Sequence, residues 1–577
     1  MKLKKLIVKN FRGLKGDQNV IDFENSDIIF LIGKNNNGKS TFLHAYNFFV
    51  EPKTKAVLSD FCNKDNSVPI EISGIFVVEK DDEKDKTLQK NDPDWINKWV
   101  DEEGFIKIKK VWSNESEEGK KETFNPSTKE FEEGGFGGFD TLLKRYAPTA
   151  IYINAISDPQ ELEKQINDII TKNHIKKLET QYSDKYTSII ESLNELKNEI
   201  SKSDDINDIN EKMNGFFSNI FPKLKLEIYS IPDSGIDISK TLKSTHGLSV
   251  TELEVLENVY DLKNNGHGVM RQAFFSFLST LGANLNEKRK EYLILFEEPE
   301  LYLHPEAIFS LRDQLYKLAQ NSPFQILCAT HSSLMIDTSK PHSSLVRLAK
   351  ESNRNTKTYQ VEFDIFEGEE KSQLQMINRF NPHICECFFA EEVVLVEGDT
   401  EAIIYRELIE RFFKDQKDVF VLNTGSKANM VFYQKILTHF GIKHIIVHDA
   451  DSPTYLTKDN KEKINAMWTY NNSIWDQINS SNNEIQDISR RYVHISNFEE
   501  AHGYKENKSK GKPLSAYEFS KSIPYESNLP CIKFLKDLFS DSQINHTQEE
   551  VESVYGDIKN VDVEKEKVPT KFHHSQV

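Results

Sequence analysis

Short apolar runs punctuate the first part of the chain, at Leu3–Val8, Asp27–Ile32, Pro69–Val78 and Ala150–Asn154, separated by charged loops such as Asp81–Asp85 and Glu115–Glu122. Runs of this length between polar loops predict strands that carry insertions. From about Asp158 to Asp261 the rhythm changes: Leu178–Ser201 and Ile206–Ile220 are polar, space their apolar residues at a helical period and hold little Gly or Pro. That pattern predicts a helical insertion, either a solvated flank or a protruding dimerisation arm. Strand-like runs return at Glu291–Phe296 and Phe324–Ala329, and a second α/β unit opens near Pro382. The expected division is an α/β unit in two parts, 1–157 and 261–345, an insertion at 158–260, a connector at 346–381 and a second α/β unit at 382–577. The final stretch, VEKEKVPTKFHHSQV, reads as a loosely held tail, and no internal repeat is visible.

At 577 residues the chain exceeds one hydrophobic core, which agrees with this division. No apolar run approaches the roughly 18–20 residues that span a bilayer. The basic start MKLKKLIVKNF lacks an apolar secretory core, so a cytoplasmic protein with no membrane partner is expected. Cys62, Cys328, Cys385, Cys387 and Cys531 are scattered, and Cys385-Glu386-Cys387 with His383 alone makes a poor zinc signature. A net charge of −18 argues against a generally basic nucleic-acid coat. DNA stays open as a partner, because phosphate contacts need only a local basic surface.

Two constellations carry chemistry. The first is Gly33–Ser40, GKNNNGKS, a complete G-x-x-x-x-G-K-S between the apolar strand Ile28–Ile32 and a helical pattern from Thr41 to Phe49. Backbone N–H groups of Gly33, Lys34, Asn35, Asn36, Asn37 and Gly38 wrap phosphates, Lys39 counters the β/γ charge, and Ser40, with Thr41 beside it, offers a hydroxyl to Mg²⁺. ATP is the expected ligand. In YLILFEEPELYLHP an apolar strand ends in Glu297, placed for Mg²⁺, and Glu298, placed to polarise water. The strand Gln325–Thr330 ends in His331, positioned to sense a γ-phosphate. The segment NNGHGVMRQ, Asn264–Gln272, opens a helix whose N-terminus suits a phosphate held by a second subunit.

The second constellation is Val393–Glu401, VVLVEGDTE. A buried strand should end at Glu397, turn at Gly398 and enter a helix near Thr400, with Glu401 on its first turn. Ile445–Asp451, IIVHDAD, is another apolar strand, ending in Asp449 and Asp451. Carboxylates converging at the ends of parallel strands suit a hard divalent cation such as Mg²⁺, with Mn²⁺ or Ca²⁺ as alternatives. Between them LNTGSKAN, Leu422–Asn429, reads as a turn into the amphipathic helix Met430–Phe440.

The Asn10-Phe11-Arg12 start, Gly33–Ser40, EEPELYLHP and ATHS together resemble an ABC-type ATPase of the SMC/RecF/Rad50 class. The departures are Glu297 where an Asp is usual and GHG where that class often shows a Leu-Ser-Gly-Gly sequence. The VVLVEGDTE and DAD strands resemble a Toprim domain. An ABC ATPase with a helical insertion followed by a Toprim α/β domain is similar to the OLD (overcoming lysogenization defect) family of nucleases. Its layout and length also resemble the nuclease subunit of the Gabija anti-phage system, including the Phe389-Ala390-Glu391 lead-in.

The resemblance implies a nucleotide-regulated, metal-dependent DNA endonuclease or nickase, active in anti-phage defence and assembled as a homodimer or higher homo-oligomer. Glu397 and Glu401 would bind one metal, Asp449 and Asp451 would bind or bridge to a second, and Glu499 would complete the site, with Glu500 the alternative. Lys512, in SKGKPLSAY, resembles the lysine this family places near the scissile phosphate. A helicase-like subunit, a retron nucleic acid or no partner would each suit such a chain. The competing reading is an ATP-dependent DNA-binding clamp or sensor that recruits a separate effector.

Overall fold

In the computed structural model the described residues are all but 84–92, 137–139, 156–160, 168–169, 171–203, 231–245, 253–258, 262–264, 285–291, 321, 352–354, 367–381, 458–460, 541–543 and 556–577. The chain separates into two units, Met1–Pro382 and His383–Val577.

The first unit is built on two six-stranded sheets. One runs in the order Thr356–Gln360, Leu345–Lys350, Ile28–Ile32, Phe324–Ala329, Tyr292–Glu297, Thr149–Ile153, parallel throughout except for the antiparallel edge strand Thr356–Gln360. Every residue of Ile28–Ile32 and Phe324–Ala329 is buried, because both faces are covered; this is why the first reads as an unbroken apolar run and the second is interrupted only by Gln325. On one face Ile29, Leu31, Leu293, Leu295 and Leu327 join a core with the helix Lys39–Val50 and a second, antiparallel sheet. That sheet runs Val20–Asp22, Lys2–Lys9, Ile70–Val77, Phe105–Trp112, Lys120–Asn125, Glu130–Glu133. On the other face Phe30 packs against Tyr316 of the helix Pro305–Ala319.

Two glutamines join the sheets. Gln325 accepts from the Leu3 amide at 2.9 Å and donates to the Leu3 carbonyl at 2.8 Å; Gln360 does the same for Asp22, at 2.9 and 2.7 Å. A primary amide copies a backbone group, so each glutamine acts as an extra strand residue bridging the layers.

The insertion departs from expectation. The helix Asp204–Phe217 lies where Ile206–Ile220 predicts one, and Leu178–Ser201 falls outside the described residues. Beyond that helix, Leu224–Ser230, His246–Glu252 and Val259–Asp261 form a three-stranded antiparallel sheet where helix was expected. Leu224, Leu226 and Ile228 alternate with Lys225 and Glu227, a period of two rather than 3.6. Asn210 and Asn214 of the helix each bond the N–H and C=O of one strand residue, Ile228 and Leu226, at 2.6–3.1 Å, locking helix to strand.

The second unit holds a parallel sheet in the order Val419–Asn423, Glu392–Val396, Lys443–Asp449, Ser489–His494. Val394, Val396, Ile445 and Val447 pack under the helices Asp399–Phe412, Gly511–Ser522 and Pro530–Leu538. The helices Met430–His439 and Ala466–Glu484 pair with each other through Thr438 and Ser481 hydroxyls at 2.7 Å. The strand order reverses direction between Glu392–Val396 and Lys443–Asp449. In open α/β sheets the crevice beyond the carboxyl ends of the strands at such a reversal is where ligands bind.

Candidate nucleotide and metal sites

In the first unit the loop Gly33–Ser40 follows its strand and ends in the helix Lys39–Val50. Gly33, at φ 126°, lies so close to the neighbouring strand that a Cβ would stand 2.3 Å from the Leu348 carbonyl oxygen; Gly38 is at φ 96°. These two positions require glycine. Asn37 donates to the same Leu348 carbonyl at 2.8 Å. Lys39, 4% exposed, folds back to donate to the carbonyls of Gly33 (2.6 Å) and Lys34 (2.8 Å). Burial lowers its pKa to about 8, against the pull of Glu298 and Glu300.

Glu297 and Glu298 stand at the carboxyl end of Tyr292–Glu297, and Glu298 adopts φ 44°. His331 Nε2 lies 3.7 Å from Glu298 Oε1. Burial, reinforced by Lys39, pushes the His331 pKa down to about 4, so near neutral pH this is a neutral imidazole facing a carboxylate. Two further residues went unassigned in the sequence. Glu300, largely buried, accepts from Thr330 Oγ1 and from the His331 amide, both at 2.8 Å, and so fixes the backbone on which His331 stands. Arg271, in the helix His267–Asn284, is buried, donates from Nη2 to the Glu297 carbonyl and lies over the Phe296 ring; its Nε and Nη1 have no partner among the described residues. Glu300, Glu298 and Glu297 all act on its charge, so the carboxylate cluster itself was the signal.

In the second unit Glu397 and Asp449 end neighbouring parallel strands, and the Asp449 amide donates to Glu397 Oε1 at 2.8 Å. Glu401 sits on the first turn of Asp399–Phe412. Asp451 lies just past its strand at φ 61°, with its amide bonded to the Ser496 carbonyl at 2.8 Å. Burial raises the Glu397 pKa to about 7. Burial, then the charges of Glu397, Glu401, Asp451 and Glu499, raises Asp449 to about 9. Asp449 Oδ1 is buried with no partner among the described residues.

Glu499, on the short helix Phe498–His502, and Lys512, on Gly511–Ser522, both act electrostatically on Glu401, the first raising its pKa and the second lowering it. Glu500 instead accepts from the Ser496 hydroxyl. The structure therefore gathers Glu397, Glu401, Asp449, Asp451 and Glu499 into one coupled carboxylate cluster, with Lys512 acting on it at Glu401. Gly398 is extended, at φ −151°, so no left-handed turn is needed there; a Cβ would touch Glu401 Oε2 at 3.4 Å. Lys427 was overlooked. Its fully buried side chain pairs with Asp451 Oδ2 at 2.7 Å, and its segment had shown only as a turn.

The donors are all carboxylate oxygens, which suit a hard cation, and Asp449 Oδ1 among them is buried with no hydrogen-bond partner among the described residues. Among the described residues no three His, Cys, Asp or Glu side chains already close into a cation cage. No helix among them is long and apolar enough to cross a membrane. A polar cavity of about 590 Å³ lined by Phe216, Ser279, Gln314 and Lys317 shares no residue with either constellation.

Comparison with known proteins agrees with both units. Residues 1–336 match the AAA ATPase domain family, and residues 388–451 match the overcoming lysogenization defect protein-like TOPRIM domain. The Old nuclease of Escherichia phage P2 is 24% identical over 473 residues, 78% of this chain and 77% of that protein. Endonuclease GajA of Bacillus cereus is 23% identical over 484 residues, 78% of this chain and 75% of its own. Among solved structures, an Smc head domain bound to the C-terminal domain of ScpA, derived from Pyrococcus furiosus, aligns over 66% of this chain and 99% of that one, at 12% identity and a TM-score of 0.40. The chain belongs to the AAA ATPase domain family, and the ATPase is followed in the same polypeptide by an overcoming lysogenization defect protein-like TOPRIM domain.

Proposed function

We propose that this protein is a divalent-metal-dependent DNA endonuclease or nickase, controlled by ATP at its first unit and serving in anti-phage defence. The observation that carries the reading is the juxtaposition of Glu397 and Asp449 at the reversal of the parallel sheet, with Glu401, Asp451 and Glu499 in electrostatic reach. The 24% and 23% identical relatives named as nucleases, each aligned over about three quarters of its length, support it.

In this reading Glu397, Glu401, Asp449, Asp451 and Glu499 hold Mg²⁺ or Mn²⁺. A cation held there would supply an attacking water of lowered pKa and charge stabilisation for the leaving oxygen in phosphodiester hydrolysis. Lys512, exposed on its helix, offsets charge that builds on the phosphate. In the first unit Lys39 leaves the Gly33 and Lys34 carbonyls for the β/γ-phosphates, Ser40 and Glu297 serve Mg²⁺, Glu298 polarises water and His331 senses the γ-phosphate. The helix beginning at His267 meets nucleotide held by a second copy, so the working form is a homodimer or larger.

Plasmid cleavage with Mg²⁺ or Mn²⁺, with and without ATP, tests the reading. Metal-dependent nicking that disappears in the Glu397→Ala, Asp449→Ala double variant supports it. Nucleotide-dependent DNA binding without cleavage by the wild type would favour a clamp or sensor instead. A Lys39→Ala variant whose cleavage and ATP response match the wild type would remove nucleotide control.

A further inference from the structure

The carboxylate cluster of the second unit is not uniformly short of positive charge. Lys427 leaves the strand Val419–Asn423 through the segment Thr424–Asn429, and its side chain is fully buried. Its ammonium donates to the Asp449 carbonyl at 2.5 Å and to Asp451 Oδ2 at 2.7 Å. Asp451 cannot easily turn away, because its φ of 61° and its amide bond to Ser496 fix the backbone that presents the carboxylate. Asp449 differs: its Oδ1 is buried with no partner among the described residues, and its amide rather than a cation reaches Glu397. Lys427 pairs directly with Asp451, whereas it reaches Glu397 only through its charge, and Glu401 is reached by the charge of Lys512.

We propose that Lys427 is the resident counter-ion of this site, a positioning residue that commits Asp451 before any divalent cation arrives. The two cation places are thereby unequal. A tight place belongs to Glu397, Glu401 and Asp449, and a weak place draws on Asp451, whose carboxylate must be shared with a buried ammonium before it can serve a second ion. This rests on the reading that the cluster binds divalent cations. What it adds is an order of filling, set by a residue outside the acidic motifs.

The test is Mn²⁺ binding to the full chain without nucleotide, followed by the EPR signal of free Mn²⁺, in a Ser40→Ala background so that the nucleotide loop adds no place. Melting in EDTA checks folding. The parent should show two classes of place whose Kd values differ by about tenfold or more. Asp451→Asn keeps an oxygen for Lys427 to bond, so it should lose the weak class and hold the tight class within about threefold. Lys427→Met frees the Asp451 carboxylate and should tighten the weak class by about tenfold.

Equal classes in the parent, loss of the tight class in Asp451→Asn, or an unchanged weak class in a folded Lys427→Met would overturn the inference while leaving the nuclease reading intact. If Lys427→Met does not fold, Asp451→Asn decides. A parent that binds no Mn²⁺ would sink the metal reading and this inference with it.

Discussion

Lys39 and Lys427 are both buried lysines just beyond the carboxyl end of a parallel strand, and their partners distinguish the two units. Lys39 is held by two neutral carbonyls, with Glu298 and Glu300 acting only at a distance. Lys427 is held by one carbonyl and one carboxylate. An ammonium with neutral partners in a dry setting lacks an anion, and burial accordingly lowers the Lys39 pKa. The second unit has the opposite balance: Glu397, Glu401, Asp449, Asp451 and Glu499 outnumber Lys427, paired with Asp451, and Lys512, acting on Glu401, and burial raises Glu397 and Asp449. The lesson is that similar α/β scaffolds announce the sign of their ligand through which charge is left unpaired.

Four experiments would break or sharpen this contrast. The largest effect is expected in the second unit. Replacing Glu397 and Asp449 together by Ala should lower plasmid cleavage by on the order of 10³-fold while ATP affinity, read by a fluorescent analogue, stays unchanged. Lys39→Ala should do the reverse, weakening ATP by roughly 10- to 100-fold and leaving nucleotide-free Mn²⁺ binding by the second unit unchanged, since it deletes one charge-assisted contact to phosphate. Gly33→Ala should destabilise the first unit by about 1–3 kcal/mol, seen as a lower melting temperature, because φ 126° and the 2.3 Å approach to Leu348 leave no room for a Cβ.

The fourth experiment concerns acid. Burial pushes the pKa values of His444 and His502 down to about 4, and lowers those of His448, His494 and His546 as well. His444 and His502 stay neutral in the fold but take protons in the unfolded chain below about pH 6.5, so their contribution is intact above that pH and is lost between 6.5 and 4. By pH 5, His444 and His502 should each cost on the order of 2 kcal/mol. Glu397 and Asp449, raised in the fold, take up protons there and work in the opposite direction. Hydrogen exchange on the double Ala variant removes that offset. Its second unit should then open faster at pH 5 than at pH 7 by more than the first unit, in which burial lowers the pKa values of His331 and His44.

The fold was legible wherever one element carries its own signal. Ile28–Ile32 with its glycine loop, and Val393–Val396 ending at Glu397, declare strand, turn and chemistry within a dozen residues. The insertion misled because Leu224–Ser230 alternates over only seven residues beside a longer helical pattern. Lys427 was invisible for a different reason. It is 24 residues from Asp451 in sequence and meets it only once two strand ends are brought together. Glu300 likewise acquires meaning only when the end of Phe324–Ala329 arrives beside it, although it stands within a motif that was read. Gly398 shows the converse, a glycine whose motif suggests a strained turn but whose backbone is extended.

Leu348 was described as a neighbour of the phosphate loop, and its place in the chain gives that contact wider reach. Its carbonyl is the wall that Gly33 grazes and the acceptor that Asn37 holds at 2.8 Å. It also belongs to the last pair of strands among the described residues of the first unit, Leu345–Lys350 and Thr356–Gln360. A loop that rearranges around a phosphate must keep or release that bond. Either way the event is felt at Leu348, on the strand paired directly with the one that feeds the phosphate loop.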